Sequence, residues 1–304
     1  METKSHSNRF GVAPLLIFSV LALCGATHHA SGEAKAPVAK PIGPICNRAA
    51  FRAVVDVGHT ADVAGAKSAR AVSEYYFNLR LAKEIEQTLI QAGFRRTILL
   101  ITAAPPRGGL FERAERANSL TADLFLSIHH DSVPNAFLEK WEYEGEEYSF
   151  SDRFKGHSLF VSFGNPDRKG SLLFARLLGR QLKDRGLQYT PHYIEPIMGH
   201  RQRELVDSAT GVYRFDELVV LKYTRMPAVL LEAGSIINRD EELLLRMPQR
   251  RALITASVVE GIERFCAARL PLRKPAPALQ ASPGKDAPKP ASAKSLSAAP
   301  ASSR

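Results

Sequence analysis

LFLSIHHDS, residues Leu124 to Ser132, is the stretch whose reading decides the fold of this 304-residue chain. Apolar and β-branched side chains run directly into two histidines and an aspartate, the pattern of a buried strand with a polar end. A strand that merely reaches water looks the same. The polar end becomes a site only if other strands finish alike, since ligands of open α/β sheets bind beyond the carboxyl ends of parallel strands.

Upstream, Ala53 to Gly58 (AVVDVG) has the same buried-strand character and runs into His59. After a small-residue loop, Ser73 is placed to cap a helix with apolar positions Phe77, Leu81, Ile85 and Leu89 and a stop at Gly93. Glu74 opens that helix, where an acid is ordinarily explained by the helix dipole alone. Thr97 to Thr102 (TILLIT) predicts a second strand, closed by Pro105 and Pro106, and Leu110 to Leu120 predicts a helix feeding the opening stretch. Alternating strands and helices imply a mostly parallel central sheet flanked by helices, an α/β fold in one domain.

Downstream, Val133 to Lys155 is acidic and aromatic, with Glu139, Glu142, Glu144, Glu146, Glu147, Asp152 and the single tryptophan, Trp141. It reads either as a solvated surface loop or as a lid beside the polar edge. Ser158 to Phe163 returns to strand character, and Ser171 is placed to cap a helix stopped by Gly186. His192 to Glu217 lacks periodicity and predicts loops near the site, with Arg201, Arg203 and Arg214 as candidate substrate contacts. Pro227 opens AVLLEAGSIIN, a strand carrying Glu232 at its carboxyl end. Asn238 then caps a short helix and Pro248 starts a longer one to about Ala268.

The chain ends bound the folded part. Lys4 and Arg9, the apolar run Val12 to Leu23 and the small residues Gly25 and Ala26 form a secretory signal peptide, residues 1–26, whose apolar part is too short for a comfortable membrane span. Lipidation at Cys24 is the rival reading, with bulky Leu23 against it. Residues 27–45 and 271–304 are too rich in Ala, Pro, Ser and Lys to bury a core and read as a disordered linker and tail. The folded domain is therefore residues 46–270. The tail sets Arg273, Lys274, Lys285, Lys289, Lys294 and Arg304 against Asp286, so half of the formal charge of +10 lies there and would draw it to anionic surfaces. Export argues against nucleic acid as that partner and for a periplasmic, wall-associated or secreted protein with no stable membrane span after cleavage. Cys46 and Cys266 flank the domain, and in an oxidising compartment they are candidates for a disulfide tying its ends together, two buried thiols being the alternative.

His59, His129 and Glu232 each end a predicted parallel strand, and Glu74 begins the helix after the first. Two imidazoles and a carboxylate suit a catalytic zinc site with an open position, and a further carboxylate suits a general base. The segments VVDVGH (Val54 to His59), SEYYFNLRLAKEI (Ser73 to Ile85), RAERANSLTADLFLSIHHDS (Arg113 to Ser132) and LKYTRMPAVLLEAGSIIN (Leu221 to Asn238) resemble the zinc-dependent N-acetylmuramoyl-L-alanine amidases of the amidase-3 type. That resemblance implies one zinc ion on His59, Glu74 and His129, and Glu232 as the catalytic glutamate. It also implies cleavage of the amide joining the lactyl group of N-acetylmuramic acid to L-alanine in peptidoglycan. Two departures stand out: HTADVAG replaces the usual glycine-rich turn after the first histidine, and His130 replaces a common alanine. Neighbouring strand residues face opposite sides, so only one of the histidine pair can face a metal. The SIH alignment selects His129, leaving His130, Asp131 and Arg201 for supporting or substrate roles. Some members of that family carry a regulatory helix that a protein activator displaces from the zinc, and the 133–155 insert is in place for such a plug, with a glutamate as an extra ligand. The alternatives are another exported zinc hydrolase, such as a carboxypeptidase or deacylase, or a non-catalytic wall-binding protein on the same fold.

Overall fold

The computed structural model describes residues 46–103 and 109–269. The expected signal peptide, linker, basic tail, Cys24 and the Pro105–Pro106 strand stop lie outside them. The strands are β1 (Ala53–Val57), β2 (Ile98–Leu100), β3 (Leu124–Asp131), β4 (Glu139–Tyr143), β5 (Glu146–Phe150), β6 (Ser158–Val161), β7 (Glu204–Asp207), β8 (Val212–Arg214) and β9 (Ala228–Ser235). The helices are α1 (Glu74–Gln91), α2 (Gly109–Ser119), α3 (Arg168–Asp184), α4 (Val219–Lys222), α5 (Arg239–Arg246) and α6 (Pro248–Arg269). Seven strands form one sheet in the order β2-β1-β3-β9-β6-β8-β7. The β1–β2, β1–β3, β3–β9 and β6–β8 pairs are parallel, while β6–β9 and β7–β8 are antiparallel.

Why the central strands read as unbroken apolar runs is plain from the two faces they bury. Val55, Val57, Leu124, Leu126, Ile128, Val229 and Leu231 join Phe77, Leu81, Ile85, Phe174, Leu178, Val258 and Phe265 in one cluster, which includes α1, α3 and α6. Val54, Phe125, Ala228 and Leu230 join Ala117, Val220, Leu221 and Tyr193 in another. The alternation then dictates the chemistry at the carboxyl ends. Asp56, Ser127, His129 and Glu232 continue the odd-and-even order of the second face, where apolar side chains give way to polar ones. His130 continues the first face, packing its ring 5.5 Å from that of Phe77. Cys46 and Cys266 are bonded, with Cα atoms 5.2 Å apart, so the segment before β1 is joined to α6. No described helix is long and apolar enough to cross a membrane.

Several local expectations are corrected. Ser73 holds the extended cap position of α1 but makes no capping bond, because its hydroxyl accepts from Lys67 Nζ at 2.8 Å. The cap of α3 is Asp167, whose carboxylate accepts from Gly170 N. Ser171 lies inside that helix, where its hydroxyl donates to Asp167 O and accepts from Ala228 N, tying α3 to β9. The region from His192 to Glu217 contains β7 and β8 as well as loops. The 133–155 insert is not a helix: it is a short 3-10 turn (Asn135–Phe137) and the hairpin β4–β5. Trp141 Nε1 donates to Ala69 O at 3.0 Å, Ser151 N to Ile237 O, and Arg239 pairs with Asp152, so the hairpin's base is fastened to the domain.

Candidate active site

At the carboxyl end of β1 the chain turns sharply, with His59 at φ 65°. A non-glycine residue in that region costs energy and persists only where the surroundings hold it. Here Arg113 on α2 does so. Its guanidinium donates to Val57 O at 2.6 Å and His59 O at 2.7 Å, and it pairs with the buried Asp56 carboxylate at 3.1 Å. Ser127 Oγ adds a bond to the same carboxylate. Two glycines make room for the rings. A Cβ on Gly58 would lie 2.3 Å from His129 Nε2, and one on Gly65 would lie 2.5 Å from Glu74 Oε2 and 2.6 Å from His59 Cδ2.

His59, Glu74 and His129 meet there. His59 Nε2 lies 2.9 Å from Glu74 Oε2 and His129 Nδ1 lies 3.0 Å from Glu74 Oε1. The candidate donor atoms of all three lie within 4.8 Å of one another, the single such group among the described residues. Two imidazoles and a carboxylate at these separations fit four-coordinate zinc, whose bonds of about 2.0–2.2 Å leave one position open. None of the insert's acids belongs to this group; its glutamates Glu139, Glu142, Glu146 and Glu147 stand on the strands β4 and β5, where they are exposed.

Glu74 is fixed by more than the histidines. Asn78, one turn later on α1, donates from Nδ2 to Glu74 Oε1 at 3.1 Å and to Gly58 O at 3.2 Å, while its Oδ1 meets His130 Nδ1 at 2.8 Å. Burial alone would raise the Glu74 carboxyl, but its hydrogen bonds to His129 and His59 hold it well below the usual range. His130 is buried and its pKa falls to about 3, chiefly through loss of solvent, so it is a neutral support on the far face of β3.

The cavity that holds the triad also contains Glu232, Asp131, Tyr193, Arg201 and Arg203. Glu232 stands beside His129 in the β3–β9 register, and its Oε2 is buried with no hydrogen-bond partner. Burial, then Asp131 and Glu74, push its carboxyl well above the ordinary value, with Arg201 opposing. Asp131 follows an irregularity in the same ladder and accepts the Tyr193 hydroxyl at 2.8 and 2.9 Å. Burial raises its pKa to about 7. Arg203 lies over the Phe215 ring at 3.7 Å. Arg214 is elsewhere, paired with Asp216 and Glu204. The sequence reasoning missed Asp56, Asn78, Arg113 and Tyr193. A buried acid in β1 and an arginine in an otherwise apolar face of α2 were the signals for the first and third.

The sheet defines an α/β domain whose strand ends carry a three-donor group that could hold a metal ion, and comparison with known proteins narrows this. The N-acetylmuramoyl-L-alanine amidase family model of amidase-3 type matches residues 53–264, and the chain belongs to that family. An endolysin of Bacillus phage SPP1 is 25% identical over 209 residues, covering 68% of this chain, which spans 63% of that relative's length. The N-acetylmuramoyl-L-alanine amidase AmiA of Escherichia coli is 25% identical over 240 residues, covering 69% of this chain and 74% of the relative. Among solved structures, the N-acetylmuramyl-L-alanine amidase Ami1 of Mycobacterium smegmatis superposes with a TM-score of 0.56 at 19% identity, over 73% of this chain and 100% of that one, a likeness of fold.

Proposed function

We propose that this protein hydrolyses the amide between the lactyl group of N-acetylmuramic acid and L-alanine in peptidoglycan, using one zinc ion held by His59, Glu74 and His129. The observation that carries the reading is the convergence of those three donors in one cavity with a buried carboxylate, Glu232, whose Oε2 has no other partner. When bound, zinc would supply Lewis acidity toward the scissile carbonyl and the attacking water. Glu232 takes the proton of that water and returns it to the departing L-alanine nitrogen as the C–N bond breaks. A cation among the donors favours the ionised Glu232 that the first half of this transfer needs, against the burial that opposes it. Asp56 and Arg113 hold the His59 turn, and Asn78 and His130 orient Glu74, in the manner of partners that fix metal ligands. A signal peptide over residues 1–26, as the sequence suggests, would export the protein to where peptidoglycan lies.

The test is digestion of purified peptidoglycan by the full chain and by Glu232→Gln, with metal content measured on both. Turnover should be lost with chelator and restored by zinc. Glu232→Gln should keep stoichiometric zinc and lose at least about a thousandfold in rate, in the range of a lost general base and its buried charge. Loss of metal from Glu232→Gln would mean that Glu232 is a ligand. Digestion that releases C-terminal amino acids or acetate would assign a carboxypeptidase or a deacylase, and metal binding without digestion a wall-binding protein.

A further inference from the structure

Arg201 ends the turn Pro196–Arg201 and has no hydrogen bond or ion pair with any described residue. It is half-buried, and it lines two cavities at once: the one holding His59, Glu74, His129 and Glu232, and a neighbouring one of 490 Å3. The two cavities also share Ala66 and Ser132. The second is walled by Val133, Leu138, Tyr148 and Ile237, so the β4–β5 hairpin region closes its outer side. Lys67 also lines it, with its ammonium on Ser73 Oγ at 2.8 Å. The acids nearest in this region are otherwise engaged or are part of the reacting cavity: Asp131 holds Tyr193, and Glu147 pairs with Lys140 at 3.2 Å. A guanidinium in the field of Asp131 and Glu232 but in no ion pair with a described acid, at the rim of a reaction cavity, is suited to a bidentate carboxylate.

We propose that Arg201 binds a carboxylate of the stem peptide, and that the 490 Å3 cavity beside it receives the peptide side of the substrate. The proposal rests on the amidase reading above. The chemistry of the substrate selects the side: the lactyl carboxyl is consumed in the scissile amide and the sugar rings are neutral, whereas the released peptide carries free carboxylates. Position selects the carboxylate. Arg201 lines the same cavity as His59, Glu74, His129 and Glu232 as well as the neighbouring one, so the carboxylate assigned to it is one close to the scissile bond, on the residue just after L-alanine, and not one at the distant peptide end. Arg201 is thus a specificity-determining residue for an acidic second position.

The experiment compares N-acetylmuramoyl-L-alanyl-γ-D-glutamyl-L-lysine, whose glutamyl α-carboxylate is free, with its glutamyl α-amide as substrates, and the two corresponding tripeptides as ligands in calorimetry, on the wild type, Arg201→Gln and Arg201→Lys. The wild type should favour the free acid by about ten- to a hundredfold in KM and in tripeptide affinity, as a charge-assisted pair does. Arg201→Gln should bring both ratios to within about twofold, and Arg201→Lys should keep part of them. Equal handling of acid and amide by the wild type overturns the proposal. So does a preference that survives Arg201→Gln, or an equal loss of kcat on both substrates with no change in either ratio, which would make Arg201 a field on Glu232. If tripeptide affinity follows Arg201 but neither muramoyl peptide nor peptidoglycan is cut, the carboxylate site stands and the amidase reading falls.

Discussion

Gly58→Ala places one methyl group against the centre of the site. The added Cβ would sit 2.3 Å from His129 Nε2 and 2.5 Å from Cδ2 and Cε1, far inside van der Waals contact. Gly58 has no left-handed backbone to strain, so the effect is steric. Close packing leaves no slack, so either the His129 ring or the end of β1 must give by roughly 1 Å. The strand cannot give cheaply, because Gly58 N bonds to Ile128 O at 3.0 Å and Gly58 O accepts from Asn78. The ring therefore moves, with an overpacking cost of about 1–3 kcal/mol and a ligand displaced by roughly 1 Å, several times the tolerance of about 0.2 Å on a metal–ligand bond. A displacement of that size costs on the order of a hundredfold in rate. Metal analysis, thermal unfolding with and without zinc, and peptidoglycan digestion read all three consequences. The stabilisation by zinc should shrink sharply in the variant, while the chelated protein should lose only the packing cost. A Gly58→Ala protein with stoichiometric zinc and wild-type turnover would refute the placement of His129 against Gly58.

Asn78→Ala leaves Glu74 Oε1 and His130 Nδ1 each short of a partner, and zinc affinity in a chelator competition should fall by about ten- to a hundredfold, with stability reduced by about 1–3 kcal/mol; unchanged affinity would remove Asn78 from the site's support. Arg113→Met strands the buried Asp56 charge, so the unfolding free energy from denaturant titration should drop by about 3–5 kcal/mol, and Asp56→Asn in the same chain should recover much of it. No recovery would mean that Arg113 acts only through the His59 turn. His157 is buried with both ring nitrogens unpartnered, and loss of solvent takes its pKa down to about 4. The unfolded chain therefore binds a proton near pH 6.5 that the folded chain refuses, so this group costs stability as pH falls from about 6.5 toward 4. Between pH 7 and pH 5 the wild type should lose about 2 kcal/mol more than His157→Leu in denaturant unfolding with chelator present. Parallel losses in the two proteins would show His157 to be charged in the fold.

What could be read in the chain was what short-range pattern controls. β1, β3 and β9 are buried on both faces, so their apolar runs stood out, and the polar residues at their carboxyl ends marked one edge of the sheet. Strand alternation requires His129 and His130 to face opposite sides of β3, which meet different neighbours, while the choice of His129 as the ligand comes from the resemblance to the SIH motif. The supports were hidden because they are long-range. Arg113 reaches Asp56 across 57 residues, and nothing local to either announces the pair. Strands β7 and β8 are unreadable as strands because they are only three or four residues long, too short for a period to develop, with β7 at the sheet edge, where charge is tolerated, and β8 beside it. Ser171 was mistaken for a cap because capping and helix-to-strand bridging use the same hydroxyl, and only the position of β9 decides between them.

The most direct measurement is end-group identification on peptidoglycan digested by the zinc-loaded full chain. The account predicts new free amino termini on L-alanine only, in step with intact lactyl carboxyls on the glycan, and none in the presence of chelator. Soluble fragments with blocked L-alanine, or new ends at any other bond, would contradict it.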